Sequence, residues 1–261
     1  MAYPTLLFGP ESEVFNSYLP VSPAPGDNGS GGPIAQRGRL PIAQQLILAD
    51  GRKFRFSRAG AVATVIGSVY AGPTPISTDA SMACAAGAVG DRIITYTHGA
   101  ATTVINFFAE GYANISLDPG AGQVYKIASH AAIGSGTAGS IVNLAPGQAL
   151  RVALTTTSDL TLVNNIYDGV IIQPATPLGA LAGIAISIIA VGSFGWLQTQ
   201  GMASVLSAAS TVSGNNVGCL LTGGTIGAVA PLSAATQPVV GIAQVAEGTG
   251  EWGAIQLQID G

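Results

Sequence analysis

The chain has 261 residues, and only 22 are charged: nine Lys plus Arg and thirteen Asp plus Glu, giving a net charge of −4 and a pI near 4.9. Hydrophobic residues reach 48%, which excludes a disordered charged tail; the acidity excludes a broadly basic nucleic-acid binder, and a helical bundle needs charged solvent faces that are missing. With 41 Ala and 36 Gly, the outside must be small and uncharged or covered by other subunits, as obligate interfaces are.

Residues 1–43 hold seven of the fifteen prolines, and Val21 to Pro33 is almost entirely Pro, Gly, Ser, Asp and Asn. Such a segment cannot pack a core of its own. Yet Tyr3, Leu6, Leu7, Phe8, Val14, Phe15, Tyr18 and Leu19 precede it. Apolar anchors outside a domain read as an extended arm lying on another surface, with a disordered terminus as the alternative. The first residues show neither the basic stretch nor the long apolar run of a signal peptide.

A hairpin is expected next. Gln44 to Ala49 and Arg52 to Ser57 flank Asp50-Gly51, a strong two-residue turn signal. Its second strand alternates cation and aromatic, so Phe54 and Phe56 share one face and the charges take the other. Short runs rich in Val, Ile and Thr then recur between Gly, Pro, Asn and Asp: 92–97, 102–108, 111–117, 123–127, 149–154, 160–164, 169–172, 184–191, 195–199, 217–221, 238–245 and 254–259. No long segment keeps a 3.6-residue period. The expectation is an all-β chain of short antiparallel strands in one or two sandwich- or barrel-like regions, with an extended N-terminal arm. The expected division is an arm over 1–43, a β domain over 44–170 and a C-terminal β domain over 171–261.

The uncharged run Leu178 to Leu197 is interrupted by Gly179, Gly183, Gly192 and Gly195 and has no Lys or Arg beside it. It reads as buried strand rather than a membrane span. Cys84 and Cys219 are too few for a disulfide framework and read as small buried residues. Gly134 to Gly139 matches a dinucleotide-loop pattern, but six residues before Pro146-Gly147 cannot supply the helix a phosphate needs, so it reads as a hairpin loop. His98 and His130 lie outside any ligand-spaced cluster and read as turn or surface residues. Asn28-Gly29-Ser30 and Asn114-Ile115-Ser116 match a glycosylation triplet that means little without a secretion signal. Glu11 and Glu13 are the only close carboxylates, and an arm is no cleft wall. No catalytic residue, metal ligand or cofactor is assigned, and neither nucleic acid nor membrane is an expected partner.

The charge map is more specific. Arg37, Arg39, Arg52, Lys53, Arg55 and Arg58 are six of nine basic residues and give residues 37–58 a net +5 with Asp50. No basic residue follows Arg151. The cluster reads either as a solvated strand face or as a docking patch for an acidic protein surface.

Three segments carry a resemblance: Leu48-Ala49-Asp50-Gly51-Arg52-Lys53-Phe54-Arg55-Phe56-Ser57-Arg58-Ala59-Gly60, Gly195-Trp196-Leu197-Gln198-Thr199-Gln200-Gly201, and Gln237-Pro238-Val239-Val240-Gly241-Ile242-Ala243. Over residues 45–261 the chain resembles head decoration (cement) proteins of tailed double-stranded DNA bacteriophages; residues 1–43 have no counterpart there. The resemblance implies a structural virion protein without enzymatic activity or cofactor, on the outer surface of the icosahedral capsid. It implies two partners, the major capsid protein and further copies of the chain as a dimer or trimer. The arm residues and the basic cluster are then the expected contacts. The alternative is a fibre or receptor-binding protein of the same virions, for which Trp196 and Trp252 are the aromatic candidates, Trp196 reading as core.

Overall fold

The structure, a computed structural model, describes residues 6–17, 40–176, 178–220, 225–235 and 237–260. Among them lie seventeen strands, numbered along the chain, and two short 3-10 turns. The fold is all-β, as composition and periodicity predicted. The residues 18–39 that would complete the extended arm lie outside the described set.

The chain divides into two compact units, the first holding described residues 6–17, 40–74 and 166–260, the second residues 75–165. This differs from the expected division. The basic hairpin belongs with the C-terminal strands, and the boundary near 170 falls inside a strand. The reason is pairing at long range. Strand β3 (Lys53–Ala59) pairs in parallel with β11 (Asp168–Ile172) and antiparallel with β13 (Phe194–Leu206).

In the first unit, β4 (Val69–Ala71) and β12 (Leu181–Ala185) complete a closed ring in the order β3-β11-β4-β12-β13 and back to β3. Closure removes free edges. The expected hairpin is present: β2 (Gln45–Ile47) pairs with β3, Gln45 opposite Arg55, across a turn in which Gly51 has φ +86°. That left-handed value is what the Asp-Gly signal demands. β1 (Leu6–Phe8) then adds to β2 in parallel.

β13 runs thirteen residues because it serves two rings. Its first half pairs with β3 and β12. A bulge between Gln198 and Gln200, followed by Gly201 at φ +88°, turns it. Its second half pairs with β17 (Trp252–Gln258), which continues through β16 (Val239–Ala243), β14 (Asn216–Cys219) and β15 (Val229–Pro231). A bridge from Ser207 to Val229 brings that series back to β13. The run 178–197 is thus two antiparallel strands and their loop rather than one buried strand.

Phe54, Phe56, Phe194 and Trp196 fill the first ring. The Phe56 and Phe194 rings stack at 5.7 Å, and Phe56 meets Trp196 edge-on at 5.1 Å. The second ring is filled by smaller side chains such as Val205, Val217, Val240 and Ile255.

The second unit is a six-stranded antiparallel series in the order β5-β10-β7-β8-β9-β6, made of β5 (Met82–Ala83), β6 (Ile93–Tyr96), β7 (Tyr112–Leu117), β8 (Val124–His130), β9 (Ser140–Leu144) and β10 (Asp159–Val163). A bridge from Cys84 to Tyr96 links its two ends. Residues 134–139 form the β8–β9 hairpin loop, as expected, with Gly136 and Gly139 at positive φ. Two expected strands are absent. Asn106 and Glu110 adopt left-handed backbone, so 102–108 closes as turns. Residues 149–154 contribute a single bridge from Leu154 to Gly87.

Candidate docking surface

The alternation read in β3 holds from Lys53 to Phe56, with Phe54 and Phe56 buried and Lys53 and Arg55 partly exposed; it breaks at buried Ser57, after which Arg58 is partly exposed. The structure gives three cations of this cluster carboxylate partners within the first unit. Arg58 Nε donates to Asp168 at 2.5 Å, and Asp168 is almost fully buried. Arg55 Nε donates to Asp260 at 2.6 Å and Nη1 to the Ala43 carbonyl at 3.1 Å. Its guanidinium also lies over the Tyr167 ring at 6.0 Å. Arg52 reaches Glu11 at 2.5 Å and Asp50 at 2.7 Å. The Arg52 backbone N–H, then its guanidinium, hold the Asp50 carboxyl below its usual range. Arg37 and Arg39 lie outside the described residues. The cluster is therefore graded. Arg52 sits in an exposed network, whereas Arg55 and Arg58 are tied into the fold.

The tip of this hairpin borders an open cleft of about 480 Å³, walled by Asp50, Arg52, Gln200, Met202 and Gln256. Gly201 sits there against Arg52, where a Cβ would meet the arginine's own Cα and Cγ.

The arm residues divide as well. Leu6, Leu7 and Phe8 form β1 beside β2. Val14, in the 3-10 turn Glu11–Phe15, is fully buried in the core of the first unit. Phe15 beside it is 55% exposed. Tyr3, Tyr18 and Leu19 lie outside the described residues. Val14 is thus committed to its own core, and Phe15 is the described arm side chain that presents a large apolar surface.

His98 and His130 are not surface residues; both are buried in the second unit at 2% exposure. Isolated histidines carry no spacing signal, and long-range packing decided their place. His130 Nε2 accepts the Phe108 N–H at 2.9 Å, while Nδ1 lies 2.6 Å from the Ala131 carbonyl, to which it must donate. Burial pushes the His130 pKa down. His98 Nε2 stands 3.6 Å from Asp79 Oδ1, close enough to feel its charge but too far for a hydrogen bond. Burial pushes the Asp79 carboxyl up, against the opposing pull of His98. Among the described residues no three His, Cys, Asp or Glu side chains gather as a metal site. Cys84 and Cys219 are buried and unpaired by disulfide, as expected, and burial raises their thiols to about 11 and about 12.

A pH dependence follows from His130. Its folded pKa is depressed, so it contributes stability above its unfolded value of 6.5 and withdraws it as pH falls through the folded value. Protonation would set two donors, His130 Nε2 and Phe108 N–H, against each other. Thermal unfolding between pH 8 and pH 5 is expected to show a midpoint that drops on the acid side, and His130→Asn is expected to flatten that limb while lowering stability throughout. An unchanged acid limb in the variant would assign it to other groups. Asp79 has the opposite sign: its contribution is present below 3.8 and lost as pH rises through its folded value.

One surface was not picked out from sequence. Val62, Val65, Tyr70, Ile171, Ile172 and Ile226 line an apolar cleft of about 280 Å³ in the first unit. The signal was present: neither residues 59–78 nor residues 169–246 contain a charge. Composition says that such stretches exist, but only the fold says that they converge. Among the described residues no helix is long and apolar enough to cross a membrane. Set against protein-family models, curated proteins and solved structures, the chain matches none.

Proposed function

We propose that this chain is a structural virion protein, a decoration protein that binds the outside of an icosahedral capsid and cements neighbouring major capsid proteins. The observation that carries this reading is where the three resembling segments lie. The first supplies the hairpin strand β3, and the second supplies β13, paired with it from Phe194 opposite Arg58 to Gln200 opposite Lys53. The third enters β16, which pairs with β17 beside β13. The first two segments are thus paired framework strands, and the third lies one strand further on, across β17. The surface supports the same reading. Among the described residues 23 large apolar side chains stand exposed, more than the 22 charged residues of the entire chain. A surface of that kind suits a component that is covered after assembly.

The arm contributes differently from a wholly free tether. Val14 and β1 hold its start to the first unit, so Phe15, 55% exposed, is the described arm side chain placed to meet a neighbouring subunit. Arg52, partly exposed between the more exposed Glu11 and Asp50, adds a polar contact that tunes association rate more than affinity.

The test is co-sedimentation of the full chain with undecorated capsids, followed by imaging. Saturable binding at a fixed ratio to the major capsid protein, with density on the shell exterior, is the expected result. No binding, or density confined to the tail, overturns it. Tail density would favour the second reading, a fibre or receptor-binding protein. That reading draws on Trp252, which is 55% exposed while Trp196 is core.

A further inference from the structure

We propose that the first unit carries, around Ile66 and Trp252, the face through which copies of this chain associate, with identical residues meeting at the symmetry axis. The contact is between copies and is separate from any contact with a shell.

The face is built on fixed backbone. The loop 60–68 joins β3 to β4, and the loop 186–193 joins β12 to β13. Thr64, itself buried, staples them. Its hydroxyl donates to the Ser187 carbonyl at 2.9 Å and accepts the Ile189 N–H at 2.6 Å, and its own N–H donates to the Ile189 carbonyl at 2.9 Å. Gly67, at φ +78°, lies directly against the Trp252 indole, where no Cβ would fit. The ring is therefore seated on glycine backbone.

Large apolar side chains stand out from this rigid base. Val62 is 70% exposed, Ile188 63%, Val191 57% and Trp252 55%, with Val65 and Ile66 about half exposed. Five of the six belong to the two stapled loops and the sixth, Trp252, rests on Gly67 of one of them, whereas a monomer's exposed apolar residues are ordinarily scattered singly. Side chains flexible enough to fold away would not need covering. These are held out by two stapled loops and a seated indole.

Charge selects the occupant. No Asp, Glu, Lys or Arg occurs in either loop; Glu247 and Glu251 stand only beside Trp252, at the margin. A charged partner would lose hydration here and gain no counter-charge. A face that meets its own image brings like against like, so a charged face repels its copy and an uncharged one does not. An exposed Trp, here at the edge of the face beside Glu251, is a residue type enriched among the anchors of such contacts.

The test uses the full chain. Wild-type protein in sedimentation at micromolar concentration is expected to be oligomeric. The double variant Val62→Lys/Ile66→Lys is expected to be monomeric with an unchanged circular dichroism spectrum, since both positions face solvent in the single chain. A second variant guards against misfolding. Ile66→Cys is expected to form disulfide-linked dimers on mild oxidation, whereas Val104→Cys, exposed on the second unit, is not. The native Cys84 and Cys219 are buried and stay silent. A wild-type chain that remains monomeric overturns the proposal. So does an oligomer indifferent to both lysines and giving no cross-link at position 66. Capsid binding is scored in the same samples. Retained binding by the monomeric variant supports the copy-to-copy assignment, and binding that fails while the oligomer persists counts against the shell reading alone.

Discussion

Replacing Asp168 with alanine is expected to cost about 3–4 kcal/mol, in the lower part of the range for removing one partner of a buried ion pair. Asp168 is nearly inaccessible and lies 2.5 Å from Arg58 Nε, whose side chain is 26% exposed. That residual exposure lets Arg58 regain some water, which places the value below the top of the range. Charge reversal at Arg58 is expected to be worse, because Arg58→Glu sets two carboxylates against each other where one has no water to turn to. The contrast is Arg52→Ala. Its partners Glu11 and Asp50 are more than half exposed, and exposed pairs are worth about 0–1 kcal/mol. Chemical denaturation of the three variants checks the order. Equal losses at Arg52 and Asp168 would contradict the grading of the basic cluster. A further check is the double variant Arg58→Met/Asp168→Leu. It should recover much of the loss, since apolar replacement of both partners is often tolerated. A weakened capsid interaction in an Arg58 or Arg55 variant would first report on folding. Arg52 is the position at which a docking contribution can be read cleanly, through the salt dependence of association.

The second large effect is at Trp196. Its side chain is fully buried, edge-on to Phe56, and truncation to alanine is expected to cost about 3–5 kcal/mol. Trp196→Phe should behave very differently. The indole Nε1 is buried without a hydrogen-bond acceptor among the described residues, so phenylalanine removes an unsatisfied donor while keeping most of the ring. A loss below about 1.5 kcal/mol is expected for it, the range of volume-conserving core exchanges. The thermal midpoint and near-ultraviolet circular dichroism of the pair decide the matter. A Phe variant as damaged as the Ala variant would mean that the indole nitrogen has a partner.

Much of the fold was legible where the deciding interactions are local. Asp50-Gly51 specified the hairpin, and the alternation of Lys53, Phe54, Arg55 and Phe56 specified its inner and outer faces. The partition into units was not legible, because β3 finds β11 and β13 more than a hundred residues away. The same distance hid the site chemistry. Arg58 and Arg55 looked free in a local reading, yet their carboxylates lie 110 and 205 positions on. Residues 102–108 have the composition of a strand, but two left-handed residues, Asn106 and Glu110, close the chain into turns. His130 was misplaced for a related reason. A neutral imidazole can be buried once both nitrogens find partners, and Phe108 and Ala131 supply them only after β8 has folded back. Val14 reversed its expected role because an apolar residue before a Pro-Gly segment reads the same whether it anchors to another protein or to its own.

The strand β13 has a mechanical consequence. It is a single stave common to two rings, hydrogen-bonded on its first half to β3 and β12 and on its second half to β17. Force drawn along it must shear rungs in both rings together rather than peel them one at a time. The rings of the first unit therefore share strain through a continuous backbone, with no slack linker between them to absorb an extension.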